Sequence, residues 1–427
     1  MTDILIRGAT IWDATGADPF PGSVVVRGNR IRAVVPGTEA PPAEGCEVIE
    51  AEGRTLMPGM AEGHAHLSFV GISANHQLGE IPVEEHAFAT ARNAELLLDH
   101  GFTSAYSAAS AKLRLDIVVR DEIAAGRLKG PRIKASTPEI TVTGGLGDEN
   151  RAHLERSSFG ITVDGPDAIR HIVRFCVREG VDNVKINISG DDFVEPAKGG
   201  MTVMSLEECK AAVETAHDFG KRIACHARAG RSVHRALDAG VDVIYHCEWA
   251  DEQALDRMEA AKDRIFVGPA IGLIHNTIHE AGPWGITPEI ARDLGMNACM
   301  ERSIETYNEI RRRGIRTVIG GDYGFAWTPQ GTNARDIAHF VDKFGYAPGE
   351  ALQCATRVGG EIMGMGDELG QVREGYLADL LLVDGDPLED VSILQDRDRL
   401  VMIMKDGALH KAARPVDAGR VLSPAAE

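Results

Sequence analysis

The sequence has few of the features that mark a secreted, membrane-bound or nucleic-acid-binding protein. Its seven cysteines are scattered without a CxxC pair, which indicates reduced thiols and a cytoplasmic protein rather than a disulfide framework. No window of about 18 apolar residues predicts a membrane span, and residues 1–6 lack the basic and apolar regions of a signal peptide. The longest basic run, residues 311–313, is too short to form a phosphate-binding surface.

The composition is that of a folded, acidic protein. The chain has 427 residues, with 45 lysines and arginines against 64 aspartates and glutamates, which gives a formal net charge of -19. Hydrophobic residues make up 44% of the chain and charged residues 26%, as in ordinary globular domains. The acidic balance argues against nucleic acid as a partner. The length predicts one barrel-sized domain with an accessory domain, or two to three smaller domains.

Both ends of the chain are rich in strand-like sequence. Residues 28–29 form a two-residue hairpin signal between two apolar runs. Near the other end, 379–383 is a continuous apolar run, and 400–405 is a strand-like run before an Asp-Gly turn. We therefore predict that 1–57 and 369–427 pair into one small composite β-sandwich.

Between these ends, short apolar runs alternate with longer segments of helical periodicity. This alternation indicates βαβ units and a parallel sheet, and eight such runs predict an α/β fold, a (β/α)₈ TIM barrel, at 58–368. The strand-like runs are 56–63, 103–107, 132–136, 183–188, 222–226, 243–247, 265–268 and 317–321. The helical patterns are 85–100, 111–126, 166–180, 205–219, 250–261, 289–313 and 331–344.

Side chains that suit a metal ion lie at the ends of several of these runs. In a (β/α)₈ barrel the carboxyl ends of the strands meet at one mouth. His64 and His66 are two residues apart, and alternate residues of a strand point to the same side, so both imidazoles reach one metal ion. The other strand-end residues are Lys185, His226, His246 and Asp322. Imidazoles and a carboxylate at one mouth predict a divalent metal centre.

The chain resembles the metal-dependent amidohydrolase superfamily over most of its length, from about residue 51 to residue 378. The motifs that carry the resemblance are Pro-Gly-Met-x-x-Gly-His-x-His-Leu at 58–67, Gly-Pro-Arg at 130–132, Thr-Gly-Gly at 143–145, Val-Lys-Ile at 184–186 and Gly-x-x-Ala-Asp-Leu at 375–380. The first is the superfamily's opening motif. The next three are similar to the branch that holds imidazolonepropionase-like proteins, Xaa-Pro dipeptidases, ochratoxin amidases and phenylurea hydrolases.

The resemblance implies a centre with two metal ions. His64, His66 and Asp322 would bind the more buried ion. His226 and His246 would bind the more exposed one. Zinc is the expected metal, and cobalt or manganese is compatible with the same ligand types.

The resemblance also implies that Lys185 and Asp322 take part in the chemistry. Lys185 would be carboxylated by CO₂ and bridge the two ions, because an ammonium has no lone pair to offer a metal. The ions would share a water molecule, or the hydroxide derived from it, and lower its pKa. Asp322 would take the proton of that water and pass it to the leaving nitrogen.

The implied function is hydrolysis of an amide-type C–N bond in an amide, urea or carbamate of a small, partly apolar or aromatic compound. Xaa-Pro-type dipeptides or N-acyl amino acids, and cyclic amides of the imidazolone type, are alternative substrates. A deaminase of the same superfamily is disfavoured by Lys185, because deaminases typically use one metal and lack the bridging lysine. A decayed, non-enzymatic barrel is disfavoured because all six ligand positions are filled. The relatives commonly form homo-oligomers, and we expect the same here, with a small-molecule substrate and no membrane partner.

Two further residues and one segment are candidates for the substrate site. Arg228 either binds a substrate carboxylate or forms a structural salt bridge. Leu146 stands where many relatives have the histidine of a Gly-Gly-His-Gly motif, which favours a more hydrophobic substrate. The Gly-rich segment 189–201 is a candidate lid.

Three other side chains are candidates with two interpretations each. His275 and His279 are four residues apart and share one face if the segment is helical, where they would line the pocket. The alternative is a pair of solvated loop histidines. Trp327, five residues after Asp322, is either a wall of an aromatic substrate site or a core tryptophan.

Overall fold

The chain forms an α/β fold in which strands and helices alternate through the central region. The computed structural model describes residues 3–39 and 41–412. Residues 413–427, the last part of the predicted composite sandwich, lie outside the described residues. Within the described ranges there are seventeen strands, thirteen α-helices and two 3-10 helices, Gly282–Trp284 and Val391–Gln395.

The strands form two terminal groups and one central group. Their bounds are β1 (Asp3–Ile11), β2 (Phe20–Arg27), β3 (Arg30–Pro36), β4 (Cys46–Glu50), β5 (Thr55–Pro58), β6 (Met60–Ala65), β7 (Phe102–Ser107), β8 (Arg132–Lys134), β9 (Glu139–Thr141), β10 (Gly160–Thr162), β11 (Asn183–Asn187), β12 (Arg222–Ala227), β13 (Val243–His246), β14 (Phe266–Gly268), β15 (Leu380–Val383), β16 (Leu400–Lys405) and β17 (Ala408–Lys411).

The helices lie mainly in the central region, between the strands. Their bounds are α1 (His76–Glu80), α2 (Val83–Asp99), α3 (Leu115–Ala124), α4 (Pro166–Glu179), α5 (Leu206–Asp218), α6 (Gly230–Ala239), α7 (Glu252–Ala260), α8 (Ile271–His279), α9 (Pro288–Asp293), α10 (Met296–Arg312), α11 (Arg335–Phe344), α12 (Pro348–Ala355) and α13 (Arg357–Ile362). In the part of the chain that the structure describes, every helix is too short or too polar to cross a bilayer.

The two ends of the chain meet in one eight-stranded sheet. Its order is β17-β16-β15-β5-β1-β2-β3, with β4 parallel to β1. β15 pairs antiparallel with both β5 and β16, so strands from before and after the central region are neighbours. Leu380 and Leu382 face an apolar core within the terminal part, whereas Leu381 and Val383 join the central core. β15 is a continuous apolar run because both of its faces are buried.

The central strands form two parallel sheets with two connections between them. Their orders are β6-β7-β8 and β10-β9-β11-β12-β13-β14. A parallel bridge between Ser136 and Asn183 joins the end of β8 to the start of β11. At the other edge, the extended segment 317–319 is hydrogen-bonded to β14 and to β6. The carboxyl ends of these strands therefore open on the same side.

Six of the eight predicted strand runs correspond to strands, and the other two need correction. The run 56–63 is two strands, β5 and β6, which belong to different sheets. They separate at Gly59, where an added Cβ would lie 2.3 Å from Thr103 Oγ1. The run 317–321 holds a single bridge at Thr317 and otherwise continues as extended chain.

All seven predicted helical patterns contain helices. The pattern 289–313 is two helices, α9 and α10, because Gly295 adopts a φ of +83° between them. Helices α1, α6, α8, α12 and α13 were not predicted from periodicity. The predicted hairpin at 28–29 is confirmed by the antiparallel pairing of β2 with β3.

Candidate metal centre

The six residues predicted as metal ligands lie together where the central strands end. They are His64 on β6, His66 directly after β6, Lys185 on β11, His226 on β12, His246 at the end of β13, and Asp322 after the segment 317–319. None of them is more than 9% exposed. All six line one pocket of about 440 Å³ that opens to solvent.

Close packing and unusual backbone conformations fix two of these positions. A Cβ at Gly320 would lie 2.4 Å from the Cβ of His64, so only glycine allows the chain to pass so close to β6. His246 and Asp322 adopt φ angles of +77° and +62°. This left-handed conformation costs free energy in residues other than glycine, and it persists where the surrounding structure enforces it, often at functional sites.

The Asp322 carboxylate lies among the imidazoles. Its Oδ1 is 3.2 Å from His66 Nε2 and 3.9 Å from His64 Nε2. One ligand atom from each of His64, His246 and Asp322 lies within 4.8 Å of the others. The ring centroids of His226 and His246 are 4.2 Å apart. These spacings are small enough for divalent ions to bind between the side chains.

Two of the histidines are held by backbone carbonyls through the nitrogen that points away from the centre. His66 Nδ1 lies 3.1 Å from the carbonyl oxygen of Ala109, and His226 Nε2 lies 2.9 Å from that of Gly190. Donation of these N–H groups leaves the lone pair on His66 Nε2 and on His226 Nδ1. A carbonyl that fixes the tautomer of a histidine in this way is typical of metal ligands.

The remaining polar atoms of the centre also suit a cation. The Nδ1 atoms of His64 and His246 are buried without a hydrogen-bond partner, which is costly unless another ligand satisfies the ring. Burial holds the pKa of both rings well below the usual range, so they are neutral and keep a lone pair. Burial alone would raise the pKa of Asp322, but the adjacent His64 and His66 lower it, so this carboxylate is anionic. The donor set fits divalent metal ions.

Lys185 is a buried cation at the centre of this group. It is 1% exposed, and its Nζ lies 4.9 Å from the centroid of the Tyr245 ring. No ion pair joins it to a carboxylate of the described residues. Burial raises the pKa of Glu139, and Lys185 is near enough to oppose that rise, as it also helps to lower the pKa of Asp322. Carboxylates therefore lie near this lysine without forming an ion pair with it.

A buried carboxyl group, that of Glu62, is hydrogen-bonded to the backbone of His64. Glu62 Oε1 accepts a hydrogen bond of 3.2 Å from the backbone N–H of His64, and Oε2 accepts one of 2.9 Å from Asn333. Burial raises the pKa of Glu62 to about 8. The group therefore orients the backbone at His64.

Arg228 is placed beside the pocket rather than in its lining. It is 1% exposed, its Nε donates to Asp191 Oδ2 at 2.8 Å, and its Nη1 donates to Glu248. Burial alone would raise the pKa of Asp191, but Arg228 and His226 lower it. Two carboxylates thus pair with the Nε and Nη1 of the guanidinium, as in the structural salt bridge that was the alternative interpretation, while Nη2 is buried without a hydrogen-bond partner.

His275 and His279 lie on α8, which confirms that the segment is helical. Their rings are not part of the pocket lining, whereas Leu273 of the same helix is. The two ring centroids are 4.6 Å apart, and that of His275 lies 4.5 Å from that of His339 on α11. The pair therefore faces α11.

Trp327 and Leu146 occupy different positions relative to the pocket. Trp327 lies behind the lining residue Phe325, with ring centroids 5.6 Å apart, and its Nε1 donates to Thr277 Oγ1 at 3.0 Å. Leu146 lines the pocket directly, and its carbonyl accepts a hydrogen bond from Asn187.

The pocket also contains residues that sequence reasoning missed. Glu139 lies at the start of β9 and accepts a hydrogen bond of 2.6 Å from Asn187. Asp191 and Phe193 reach the pocket from the segment 189–201. The signal for Glu139 was present, since it opens a short apolar run soon after the third predicted strand.

Apolar side chains form most of the remaining pocket wall. The lining residues of this kind are Phe69, Leu146, Phe159, Phe193, Leu273 and Phe325. Phe69 stacks on His66 with ring centroids 4.2 Å apart. The apolar wall thus begins directly beside the metal-ligand group.

Comparisons with known proteins identify the family of this chain. The family model described as the amidohydrolase family matches residues 55–409. Ochratoxinase of Aspergillus niger is 24% identical and aligns over 83% of this chain and 75% of its own. Imidazolonepropionase of Rubrobacter xylanophilus is 23% identical over 91% of each chain. A solved prolidase complexed with N-methylphosphonate-L-proline has a TM-score of 0.87 and 26% identity, and the match covers 96% of this chain and all of that one. The chain belongs to the amidohydrolase family.

Proposed function

We propose that this amidohydrolase uses two divalent metal ions to hydrolyse an amide-type C–N bond in a small, partly apolar compound. Zinc is the metal that we expect before cobalt or manganese. The observation that carries the proposal is the convergence of six strand-end side chains on one pocket, with their ring nitrogens free for metal ions. Amide, urea and carbamate groups all contain the carbonyl carbon and leaving nitrogen that such a centre acts on.

The residues divide into two ligand sets. His64, His66 and Asp322 would hold one ion, and His226 and His246 the other. Lys185, as a carbamate, would bridge them. When bound, the ions would polarise the scissile carbonyl and lower the pKa of the attacking water.

Asp322 would move the proton during the reaction. Its Oδ1 faces His66, so the other carboxylate oxygen remains for the attacking water. The proton taken there would then pass to the leaving nitrogen, which makes the amine a neutral product. The carbonyls of Ala109 and Gly190 would keep His66 and His226 oriented throughout.

The apolar wall supports a substrate with an aromatic or aliphatic part next to the scissile bond. Phe69, Leu146 and Phe325 line the pocket around the ligand group. Ochratoxinase is among the relatives, which supports ochratoxin-type amides as early members of a substrate screen.

Dipeptides form the second substrate class, favoured by the prolidase likeness. Arg228 was the feature that would select their carboxylate, and its contacts with Asp191 and Glu248 weaken that argument. We therefore rank neutral amides, ureas and carbamates ahead of dipeptides and N-acyl amino acids.

We further propose that the central strands close into an eight-stranded barrel at 58–368, with 1–57 and 369–427 as a composite sandwich domain. The bridge at Ser136 and the pairing of 317–319 with two strands support closure. The eight-stranded terminal sheet supports one domain made of both ends. The seven unpaired cysteines support a cytoplasmic location.

The proposal is tested by measuring the metal content of the wild type, of a Lys185 variant and of a matched control variant. Protein purified with bicarbonate and without chelators should contain about two divalent ions per chain. Lys185→Ala should lose them and the hydrolysis of an amide, urea and carbamate panel. Lys210→Ala, which removes an exposed lysine of α5, should keep both. One ion that does not depend on Lys185 would instead indicate a deaminase-like centre and a screen for ammonia release.

A further inference from the structure

A second group of imidazoles lies outside the pocket, between α8 and α11. His275 is at its centre, with ring centroids 4.6 Å from His279 and 4.5 Å from His339. His275 and His279 are one helical turn apart on the same face of α8. We name this group, His275, His279 and His339, the helix histidine cluster.

Two nitrogens of this cluster are buried without a hydrogen-bond partner. They are His275 Nδ1 and His339 Nε2, and His339 as a whole is only 5% exposed. Burial lowers the pKa of His275 to about 4 and that of His339 to about 2, so both rings are neutral at pH 7. A neutral imidazole has one N–H group and one nitrogen with a lone pair, so each of these rings has a lone pair to offer a metal ion.

We propose that the helix histidine cluster is a second metal site, which binds one zinc-like divalent ion. Imidazole is the preferred ligand of Zn²⁺, Cu²⁺ and Ni²⁺. Two imidazole nitrogens on a tetrahedral zinc ion lie roughly 3.3 Å apart, so zinc binding requires the rings of the cluster to turn toward one point. His279 is exposed, so the ion has an entry path from solvent.

Nearby charges make this site weaker than the pocket centre. Lys343 and Arg335 both lie close enough to disfavour further positive charge on the rings. Arg335 is itself paired with Glu280 at 2.5 Å. The cluster has no carboxylate ligand of its own, so it should lose its ion first when metal is removed.

An ion here would join two helices that shape the active pocket. Leu273 of α8 lines that pocket, and Asp336 of α11 accepts a hydrogen bond of 3.1 Å from Tyr323, the residue after Asp322. An ion bound to the cluster would therefore stabilise the position of the pocket wall without contacting a substrate. This role is independent of the proposed reaction.

Zinc binding to the metal-loaded enzyme tests the proposal. Equilibrium dialysis with elemental analysis should find one zinc ion per chain beyond those of the pocket. His275→Ala should abolish that ion, and His279→Ala should weaken its binding about tenfold or more. His171→Ala, which removes an exposed histidine of α4, should leave it unchanged.

Two results would overturn the site. One is wild-type enzyme that binds no ion beyond those retained by the pocket. The other is an extra ion of equal affinity in wild type and His275→Ala, which would place it elsewhere on the surface. The measurement counts only the ions beyond those that depend on Lys185. Its result is therefore independent of whether the protein cleaves an amide.

Discussion

Lys185 and Arg228 are two buried cations beside the same pocket, and they differ in their partners. Arg228 is held by the carboxylates of Asp191 and Glu248. Lys185 has an aromatic ring beside it and no ion pair among the described residues. A buried charge that serves structure arrives with its counter-charge. Lys185 lines the pocket, with the carboxyl groups of Glu139 and Asp322 near it but not paired with it. This difference separates residues whose loss should stop turnover from residues whose loss should unfold the protein.

The largest expected effect is on turnover, at Asp322. Asp322→Asn should lower kcat by about a thousandfold or more, since an amide oxygen still binds a metal but cannot take up a proton. Elemental analysis should find the metal content unchanged, and urea denaturation should find the stability unchanged. Near-normal turnover would remove Asp322 from the proton path.

Arg228→Ala should act on stability instead. It leaves Asp191 and Glu248 buried without their cation, which should lower the free energy of unfolding by about 3–5 kcal/mol. Urea denaturation measures this, with Arg170→Ala as the control that breaks an exposed pair with Asp167. If Arg228→Ala folds normally but raises KM for anionic substrates alone, Arg228 is a substrate receptor after all.

Two buried carboxyl groups, Asp336 and Asp191, should affect the pH dependence of stability differently. Burial raises the pKa of Asp336 to about 7, from a usual value of 3.8, whereas Arg228 helps to lower that of Asp191. The folded state therefore binds the Asp336 proton more tightly than the unfolded state does. Its contribution is complete below pH 3.8 and is lost as the pH rises to about 7.

Metal-free wild type should consequently lose about 2 kcal/mol of stability between pH 5 and pH 8 through this group. Asp336→Asn keeps the shape but cannot titrate, so its unfolding free energy should fall less over the same range. Urea denaturation at both pH values measures the difference. Equal slopes in the two proteins would show that Asp336 does not titrate in this window.

The smallest expected effect concerns substrate choice at Leu146. Leu146→Ala should raise KM for aromatic amides about tenfold, because one apolar contact in the pocket is lost. The hydrogen bond from Asn187 goes to the backbone carbonyl and should persist. Small polar amides provide the control, and an equal rise in KM for them would assign Leu146 to structure.

The ligand group was predictable from sequence because strand ends in a parallel α/β fold meet at one edge. The spacing of His64 and His66, the position of Lys185 within one strand-like run and the position of Asp322 directly after another contain that information. Glu139 was missed because the short apolar run that it opens was not counted among the predicted strands.

The direction in which a side chain faces was harder to predict than the element on which it lies. The spacing of His275 and His279 indicated a shared helix face, but not whether that face meets the pocket or α11. The run 56–63 read as one strand because both halves are apolar, and the separation at Gly59 depends on a contact with Thr103, distant in the chain. Arg228 left two interpretations open because its partners come from two different segments.

The arrangement of β5 has a consequence for anyone who seeks a shortened version of the protein. β5 lies between β1 and β15, and one residue, Gly59, separates it from β6, the strand that carries His64 and directly precedes His66. Deletion of either terminus would leave an open, apolar sheet edge, the kind of surface on which chains aggregate. The first and last parts of the gene therefore form one functional unit with its middle, and a minimal catalytic fragment has to keep both.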